Sequence, residues 1–290
     1  MNVFLNGEMM PIGQARISVL DRGFIFGDGV YEYIPVYSRR PFRLAEHLAR
    51  LKISLAAVEL PNPHDDRRWG EIIRMVIAAN PWEDQAVYLQ ITRGVAAREH
   101  AYPKNIKPTV FISSGALTNP PREQVEQGVA AITHEDFRWL RCDIKSISLL
   151  ANCMLKNLAV TRGVTETILL REGFLTEAAA SNVMIVSADT VLAPPKSHLM
   201  LPGITYDVIL ELMESSGVNY AVRPITEAEL RAADEIWLTS SSKEVLPVTT
   251  LDDKPVGSGA TAGKPGRFFR RLHALYQEYK LTVMRSQANV

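Results

Sequence analysis

Two spacings of hydrophobic residues alternate along this 290-residue chain, one of period two and one of threes and fours. Val3, Phe4 and Leu5 run into Asn6-Gly7, which predicts a hairpin with a type I′ turn, because both turn positions need positive φ. Residues 30–37 read as a strand. Over 43–58, Leu44, Leu48, Leu51, Leu55 and Val58 recur at helical spacing, and over 65–79 Ile72, Ile73, Val76 and Ile77 do the same. Strands are predicted at 86–92 and 109–112. Residues 115–121 are rich in turn formers and read as a linker. They divide the chain into a small N-terminal α/β domain, 1–118, and a larger C-terminal domain, 119–290. The second part reads as a strand at 129–133, then a helix after residue 148. A hairpin turning at Arg171-Glu172-Gly173 follows, then a helix from about 206 to 216. Thr226-Glu227-Ala228-Glu229 is a capping box; a strand at 235–239 and a helix at 264–279 complete the pattern. The mixture predicts a two-domain fold of the mixed α/β (α+β) class.

Composition narrows the function classes. Hydrophobic residues make up 47% and charged residues 22%, as in an ordinary globular protein. With 32 basic and 32 acidic residues the formal net charge is zero, which argues against nucleic acid or an anionic membrane as partner. Cys142 and Cys153 have no metal-ligand spacing and are too few for a disulfide framework, so both read as buried thiols in a reducing compartment. The N-terminus lacks the marks of a secretion signal, and no apolar run is long enough to span a bilayer, so the cytoplasm is the expected location.

Several residues carry candidate chemistry. Lys145 sits in a stretch that reads as a strand handing over to a helix, with Ser146 or Ser148 as N-cap. A lysine half buried there, near amide N–H groups, is disfavoured as the ammonium and suits nucleophilic Schiff-base chemistry; a solvated surface lysine is the commoner fate. Lys156, farther along the helix, reads as solvated. The glycines of 23–29 resemble a phosphate loop, but a strand follows rather than a helix, which argues against a dinucleotide site. Arg50 points away from the middle of its apolar stripe, as a solvated arginine would, and His47 reads as a packed histidine. Arg98 and His100, two apart in a polar loop, project from the same side if the loop is extended. Glu177 follows the predicted hairpin. Leu201-Pro202-Gly203-Ile204-Thr205 precedes a helix and is a ready anion site. Ser240-Ser241-Ser242 could close on a phosphate or form a flexible turn.

In order along the chain these segments resemble the fold-type IV pyridoxal-phosphate-dependent enzymes, and within them the D-amino acid (D-alanine) aminotransferases. The matching blocks are Asp21-Arg22-Gly23 through Gly29-Val30-Tyr31-Glu32, Glu46-His47 through Arg50-Leu51, Arg98-Glu99-His100, Asp143-Ile144-Lys145-Ser146, Glu177 through Ser181-Asn182-Val183, and Leu201 through Thr205. The resemblance implies pyridoxal 5'-phosphate bound to Lys145 as a Schiff base, with Lys145 as the catalytic base and acid. Glu177 would lie against the pyridine nitrogen. Arg50, Ile204, Thr205, Ser240 and Ser241 would hold the phosphate, with Leu201 close to the cofactor. Tyr31, Arg98 and His100 would hold the substrate carboxylate, and Tyr33 would shape the side-chain pocket, where a smaller aliphatic residue is usual. Two further departures are Ala178, Ala179 and Ala180, where glycine and small hydroxyl residues are usual, and Tyr206, where arginine is common.

The expected activity is transfer of the amino group of a D-amino acid to a 2-oxo acid such as 2-oxoglutarate. The resemblance also implies a homodimer with shared active sites. A branched-chain L-amino acid transaminase, an (R)-amine transaminase and an aminodeoxychorismate lyase remain alternatives on the same fold. A cofactor-free binding protein is disfavoured by the presence of both Lys145 and Glu177.

Overall fold

The structure is a computed structural model that describes residues 1–286. The chain divides into two compact units. The first comprises residues 1–117 together with 144–149; the second comprises 118–143 and 150 onward. The short segment around Lys145 therefore belongs with the N-terminal part, whereas the linker alone had left it in the C-terminal domain.

The first unit is a six-stranded sheet covered on one face by helices. Its strands are β1 (Asn2–Leu5), β2 (Glu8–Pro11), β3 (Gly29–Tyr37), β4 (Arg40–Pro41), β5 (Gln85–Thr92) and β6 (Thr109–Ala116), in the order β2-β1-β6-β5-β3-β4. All pairings are antiparallel. The β1–β2 hairpin turns at Asn6 (φ 51°) and Gly7 (φ 107°), as the Asn-Gly pair predicts. Helix α1 (Arg22–Phe26), missed by pattern because it is only five residues long, begins on the Asp21 carboxylate and ends at left-handed Gly27. Helices α2 (Leu44–Ala57) and α3 (Asp66–Ala78) match the predicted spans; Asp65 caps α3 through the Arg68 amide at 2.7 Å. The period-two alternation of β3 and β5 sends Val30, Ile34, Val36, Val87, Leu89 and Ile91 into one core with Leu48, Leu51, Leu55, Trp69, Ile72 and Ile73 from the helices. Each such side chain contributes about 1.5–3 kcal/mol of burial. The opposite face keeps Tyr31, Tyr33, Tyr88 and Gln90 half buried.

The second unit is built on nine strands: β7 (Val129–Glu135), β8 (Glu166–Arg171), β9 (Phe174–Ala178), β10 (Asn182–Ser187), β11 (Thr190–Ala193), β12 (Tyr220–Val222), β13 (Glu235–Ser240), β14 (Glu244–Leu251) and β15 (Lys254–Pro255). The path runs β12-β11-β10-β13-β14-β7-β8-β9, with β15 on β14. Strand β7 is parallel to both neighbours, and the crossover to β8 contains helix α5 (Leu150–Thr161). Helices α4 (Arg122–Gln127), α6 (Ile204–Ser216), α7 (Glu227–Arg231) and α8 (Arg267–Tyr279) complete it. The capping box at Thr226 is present as predicted. Helix α8 starts on a buried carboxylate: Glu235 accepts from the Phe268 and Phe269 amides at 2.9 and 2.8 Å.

Two expectations are corrected. Strand β6 continues through Ala116, so the linker is shorter than its turn residues suggest. Cys142 is buried, but Cys153 is exposed on α5 and is not a core thiol. No helix among the described residues is long and apolar enough to cross a membrane.

The loop that carries Arg98 leaves β5 through Gly94 at φ +85°, where an added Cβ would stand 2.0 Å from the Lys107 carbonyl oxygen. Backbone cannot yield as a side-chain tip can. Gly94→Ala is expected to lower stability by about 2 kcal/mol or more in urea unfolding.

Candidate active site

Lys145 is not delivered by a strand. Strand β7 ends at Glu135, residues 136–149 form no strand or helix, and α5 begins only at Leu150. The segment instead satisfies its backbone groups on the edge of β3. Tyr31 N–H donates to the Lys145 carbonyl at 2.9 Å, Ile147 N–H to the Gly29 carbonyl at 3.1 Å, and Lys145 N–H to the Ser54 hydroxyl at 3.2 Å. Ser146 bridges Val30 and so is no N-cap, while the Ser148 hydroxyl donates to the Gly27 carbonyl at 2.9 Å. Two glycines permit this approach. A Cβ on Gly29 would fall 3.1 Å from Ile147 Cδ1 and 2.5 Å from the Ile91 oxygen; one on left-handed Gly27 would fall 2.7 Å from Ser148 Oγ. The phosphate-loop look of this glycine block thus has a packing cause. Lys145 is half buried, with Nζ 4.2 Å from the centre of the Tyr31 ring.

The same strand carries a buried charge cluster. Glu32, on the helix-facing side of β3, accepts Arg50 Nε at 2.8 Å and Nη2 at 2.7 Å, and meets His47 Nδ1 at 2.7 Å. Arg50 is therefore buried and forked onto a carboxylate rather than solvated. Burial alone would raise the Glu32 carboxyl, but Arg50 and then His47 outweigh it and hold it at about 2. Burial keeps His47 below the usual imidazole range, and its Nε2 is buried with no hydrogen-bond partner. Glu32 escaped the sequence reading because one acidic residue inside an apolar strand has no visible partner until α2 packs against it.

Arg98 and His100 are both exposed, and both approach one ring. The Arg98 guanidinium carbon lies 5.6 Å from the Phe26 centroid, and the His100 ring centre 5.4 Å from it. Their loop is carried by buried Arg22, which donates to the carbonyls of Glu99, His100 and Ala101 and pairs with Asp28 at 2.8 Å. Arg93 pairs with the same Asp28 and stacks on Tyr102 at 3.5 Å. On the sheet, Tyr33 lies opposite Tyr88 and Tyr31 opposite Gln90, and burial raises both the Tyr33 and Tyr88 phenols. The Tyr88 hydroxyl donates to Gln90 at 2.6 Å.

In the second unit Glu177 lies within β9 and is buried, not at an exposed strand end. One carboxylate oxygen accepts Arg138 Nη1 at 2.5 Å. The other accepts Asn182 Nδ2 at 3.1 Å and the Leu201 amide at 3.2 Å. Arg138 is itself forked onto Asp136 at 2.9 Å. Burial dominates and pushes the Glu177 carboxyl up to about 7, against the pull of Arg138 and the Leu201 amide. The alanines after Glu177 use only their main chain: the Ala178 amide donates to the Ser181 carbonyl at 2.7 Å and the Ala179 amide to the Thr167 carbonyl at 2.9 Å.

Helix α6 begins two residues earlier than predicted, with Gly203 as an N-cap that lacks a side chain. Ile204 and Thr205 are thus its first two residues, where amide N–H groups have no intrahelical acceptor. Thr205 Oγ1 is buried with no hydrogen-bond partner, and so is Thr239 Oγ1, one residue before Ser240. A phosphate would fit such a set of donors. A cationic ring nitrogen would equally fit Glu177, whose burial opposes ionisation. Tyr206 faces the core and donates to the Pro194 carbonyl at 2.8 Å. Lys156 is half buried on α5, donates to the Thr165 carbonyl, and is lowered by burial; it is not the solvated lysine expected.

Removing one member of the Glu32–Arg50 pair strands a buried charge. Glu32→Gln is expected to cost about 3 kcal/mol at neutral pH. Because the folded carboxyl lies near 2 and its ordinary value is 4.5, the wild-type advantage is complete above the ordinary value and is lost as pH falls toward 2. Urea unfolding of both proteins from pH 7 to 3 should show the two stabilities converging on acidification.

Comparison with known proteins places this geometry. Residues 29–251 match the family described as Amino-transferase class IV. A D-alanine aminotransferase of Bacillus licheniformis is 40% identical over 277 residues, covering 96% of each chain. One from Staphylococcus epidermidis is 36% identical over 278 residues, covering 96% of this chain and 97% of its own. Among solved structures, the branched-chain amino acid aminotransferase of Escherichia coli superposes with a TM-score of 0.88 at 24% identity, covering 99% of this chain and 96% of its own. The branched-chain enzyme of T.th., solved with pyridoxamine 5'-phosphate, gives 0.88 at 26% identity, covering 99% and 95%. The family match spans most of the chain and includes Glu32, Arg50, Lys145 and Glu177, so this protein belongs to the class IV aminotransferases and is an enzyme of that fold-type IV family.

Proposed function

We propose that this enzyme is a D-amino acid transaminase of the D-alanine type, working with pyridoxal 5'-phosphate attached to Lys145. The observation that carries the substrate class is the pair of full-length relatives named for D-alanine at 40% and 36% identity, well above the 24–26% of the branched-chain structures. The donor set supports the cofactor, as does the pyridoxamine phosphate in the T.th. structure. Bound there, the cofactor supplies an aldehyde for the amino group and a ring that accepts the electron pair left when the Cα–H bond breaks.

The chain's own residues do the rest. Lys145 Nζ, placed against Tyr31 by backbone bonds to β3, would hold the cofactor aldehyde and, once the substrate amine has displaced it, would be the group that moves a proton at the substrate Cα. Glu177 becomes anionic when a protonated ring nitrogen lies opposite it, which offsets the cost of its burial. By the family resemblance Ile204, Thr205, Ser240 and Ser241 would hold the phosphate, and Arg50, oriented by Glu32, would be a further phosphate ligand. Tyr31, Arg98 and His100 bind the substrate carboxylate, and Tyr33 bounds its side chain. The Arg98–His100 loop is exposed on its own chain while its backbone is firmly anchored by Arg22, which suits a loop that serves a partner subunit.

The direct test is an amino-donor panel with 2-oxoglutarate and pyruvate as acceptors. D-alanine is expected to exceed L-alanine in kcat/KM by about 100-fold or more. Activity confined to L-leucine, L-isoleucine and L-valine would assign the enzyme to the branched-chain group.

Sharing of the site is tested by complementation. Lys145→Ala and Arg98→Ala homodimers should each be inactive or nearly so. After co-refolding, half the dimers are mixed, and each mixed dimer holds one intact site, so roughly a quarter of all sites should recover D-alanine turnover. No recovery despite demonstrated subunit exchange would place Arg98 in its own chain's site or outside it.

A further inference from the structure

The turn between β13 and β14 departs from the usual hairpin. Ser240 pairs with Glu244, leaving Ser241, Ser242 and Lys243 as a three-residue loop. Such loops favour glycine at their left-handed position. Here the left-handed residue is not within the loop but Glu244, which closes it on the β14 side, at φ 54°. Its buried carboxylate accepts Gln277 Nε2 at 2.7 Å and the ammonium of buried Lys280. The residue before it is held just as firmly. Lys243 Nζ donates to Glu166 Oε2 and to Ser181 Oγ, each at 2.9 Å, and the Ser181 hydroxyl donates to the same Glu166 oxygen at 3.0 Å. Glu166 is completely buried. The Lys243 amide donates to Ser240 Oγ at 3.1 Å.

This triangle connects two parts of the second unit. Ser181 directly precedes Asn182, whose side-chain amide donates to Glu177 and, at 2.9 Å, to the Leu201 carbonyl. Gly203, at the start of α6, leaves no room for a Cβ beside Asn182: it would fall 2.0 Å from Oδ1. The serine turn, the Glu177 carboxylate and the first turn of α6 are therefore tied together by side chains, with Lys243 as the tie from the turn.

We propose that Lys243 is a positioning residue, fixing the Ser240–Ser241 turn against Glu166 and Ser181 and thereby setting how tightly the turn holds a phosphate monoester. The inference rests on the reading above that this turn receives the cofactor phosphate. Lys243 does not touch the reacting atoms, so its loss acts on the phosphate and not on proton transfer. It also acts selectively: a ligand without the phosphate gains nothing from the turn.

The experiment measures binding of pyridoxal 5'-phosphate and of pyridoxal to the cofactor-stripped full chain, by absorbance and tryptophan fluorescence. Wild type is expected to prefer the phosphorylated form strongly. Lys243→Met, which keeps the apolar stem, should cut that preference about tenfold, almost entirely through weaker binding of the phosphorylated form. Lys243→Arg should restore most of it. Turnover at saturating cofactor should stay within about threefold of wild type. The double variant Lys243→Met/Glu166→Gln removes the stranded carboxylate charge and should keep the reduced preference. Recovery of the preference in the double variant would overturn the proposal, because the effect would then be charge on Glu166. So would equal weakening of both ligands, or an unchanged preference in Lys243→Met. Ser240→Ala separates the two readings: if wild type prefers the phosphorylated form but Ser240→Ala does not reduce the preference, the turn itself is not the phosphate site.

Discussion

Main-chain hydrogen bonding between residues 144–149 and strand β3 is the constraint on which the position of Lys145 depends. The chain leaves the second unit after Asp143, lies along Gly29, Val30 and Tyr31, and returns at Leu150. Bonds from Tyr31, Ile147 and Lys145 itself fix the backbone at the lysine, a preorganisation that places its amine repeatably against Tyr31. The arrangement needs glycine at 27 and 29, where any side chain would occupy the space of Ser148 or Ile147. It also sets Nζ 4.2 Å from the centre of the Tyr31 ring.

Two buried glutamates, one on β3 and one on β9, are shifted in opposite directions. Glu32 receives a two-pronged arginine and a histidine, and three close donors outweigh its loss of hydration. Glu177 also has three donors, but only one of them is charged, a single prong of Arg138 whose Nε and Nη2 bond Asp136, and burial prevails. A carboxylate whose charge is already compensated can orient a neighbour but cannot respond to a ligand. One that burial holds near neutrality gains most from a new cation beside it. That contrast suits Glu32 for holding Arg50 and leaves Glu177 responsive to a cation beside it.

The comparisons divide along the same lines as the structure. Solved branched-chain enzymes share nearly the whole fold at about a quarter sequence identity, while the relatives named for D-alanine share far more of the sequence over a similar length. One fold can carry several specificities, so specificity is argued from the site and not from the fold. In this chain the Arg98–His100 loop is held by Arg22 and Arg93, and Tyr33 lies opposite Tyr88 on the sheet face.

The sequence by itself determined the elements whose causes are local. Asn6-Gly7 could make only a tight hairpin, the leucine spacing of α2 and the isoleucine spacing of α3 could make only half-buried helices, and Thr226 with Glu229 formed the capping box it spelled. Its ordered blocks also pointed to the family, which the match over residues 29–251 bears out. Tertiary structure alone decided what the candidate residues touch. No strand leads to Lys145, because its backbone partners lie more than a hundred residues away in β3. Arg50 is buried because Glu32 waits across the sheet–helix interface, and the Glu177 carboxyl is raised by burial against the pull of Arg138, which comes from a stretch with no regular pattern. Lys156 rests on the Thr165 carbonyl and Lys243 on Glu166 for the same reason. Periodicity records which face of an element is buried; it does not record which charge arrives from another element to meet it.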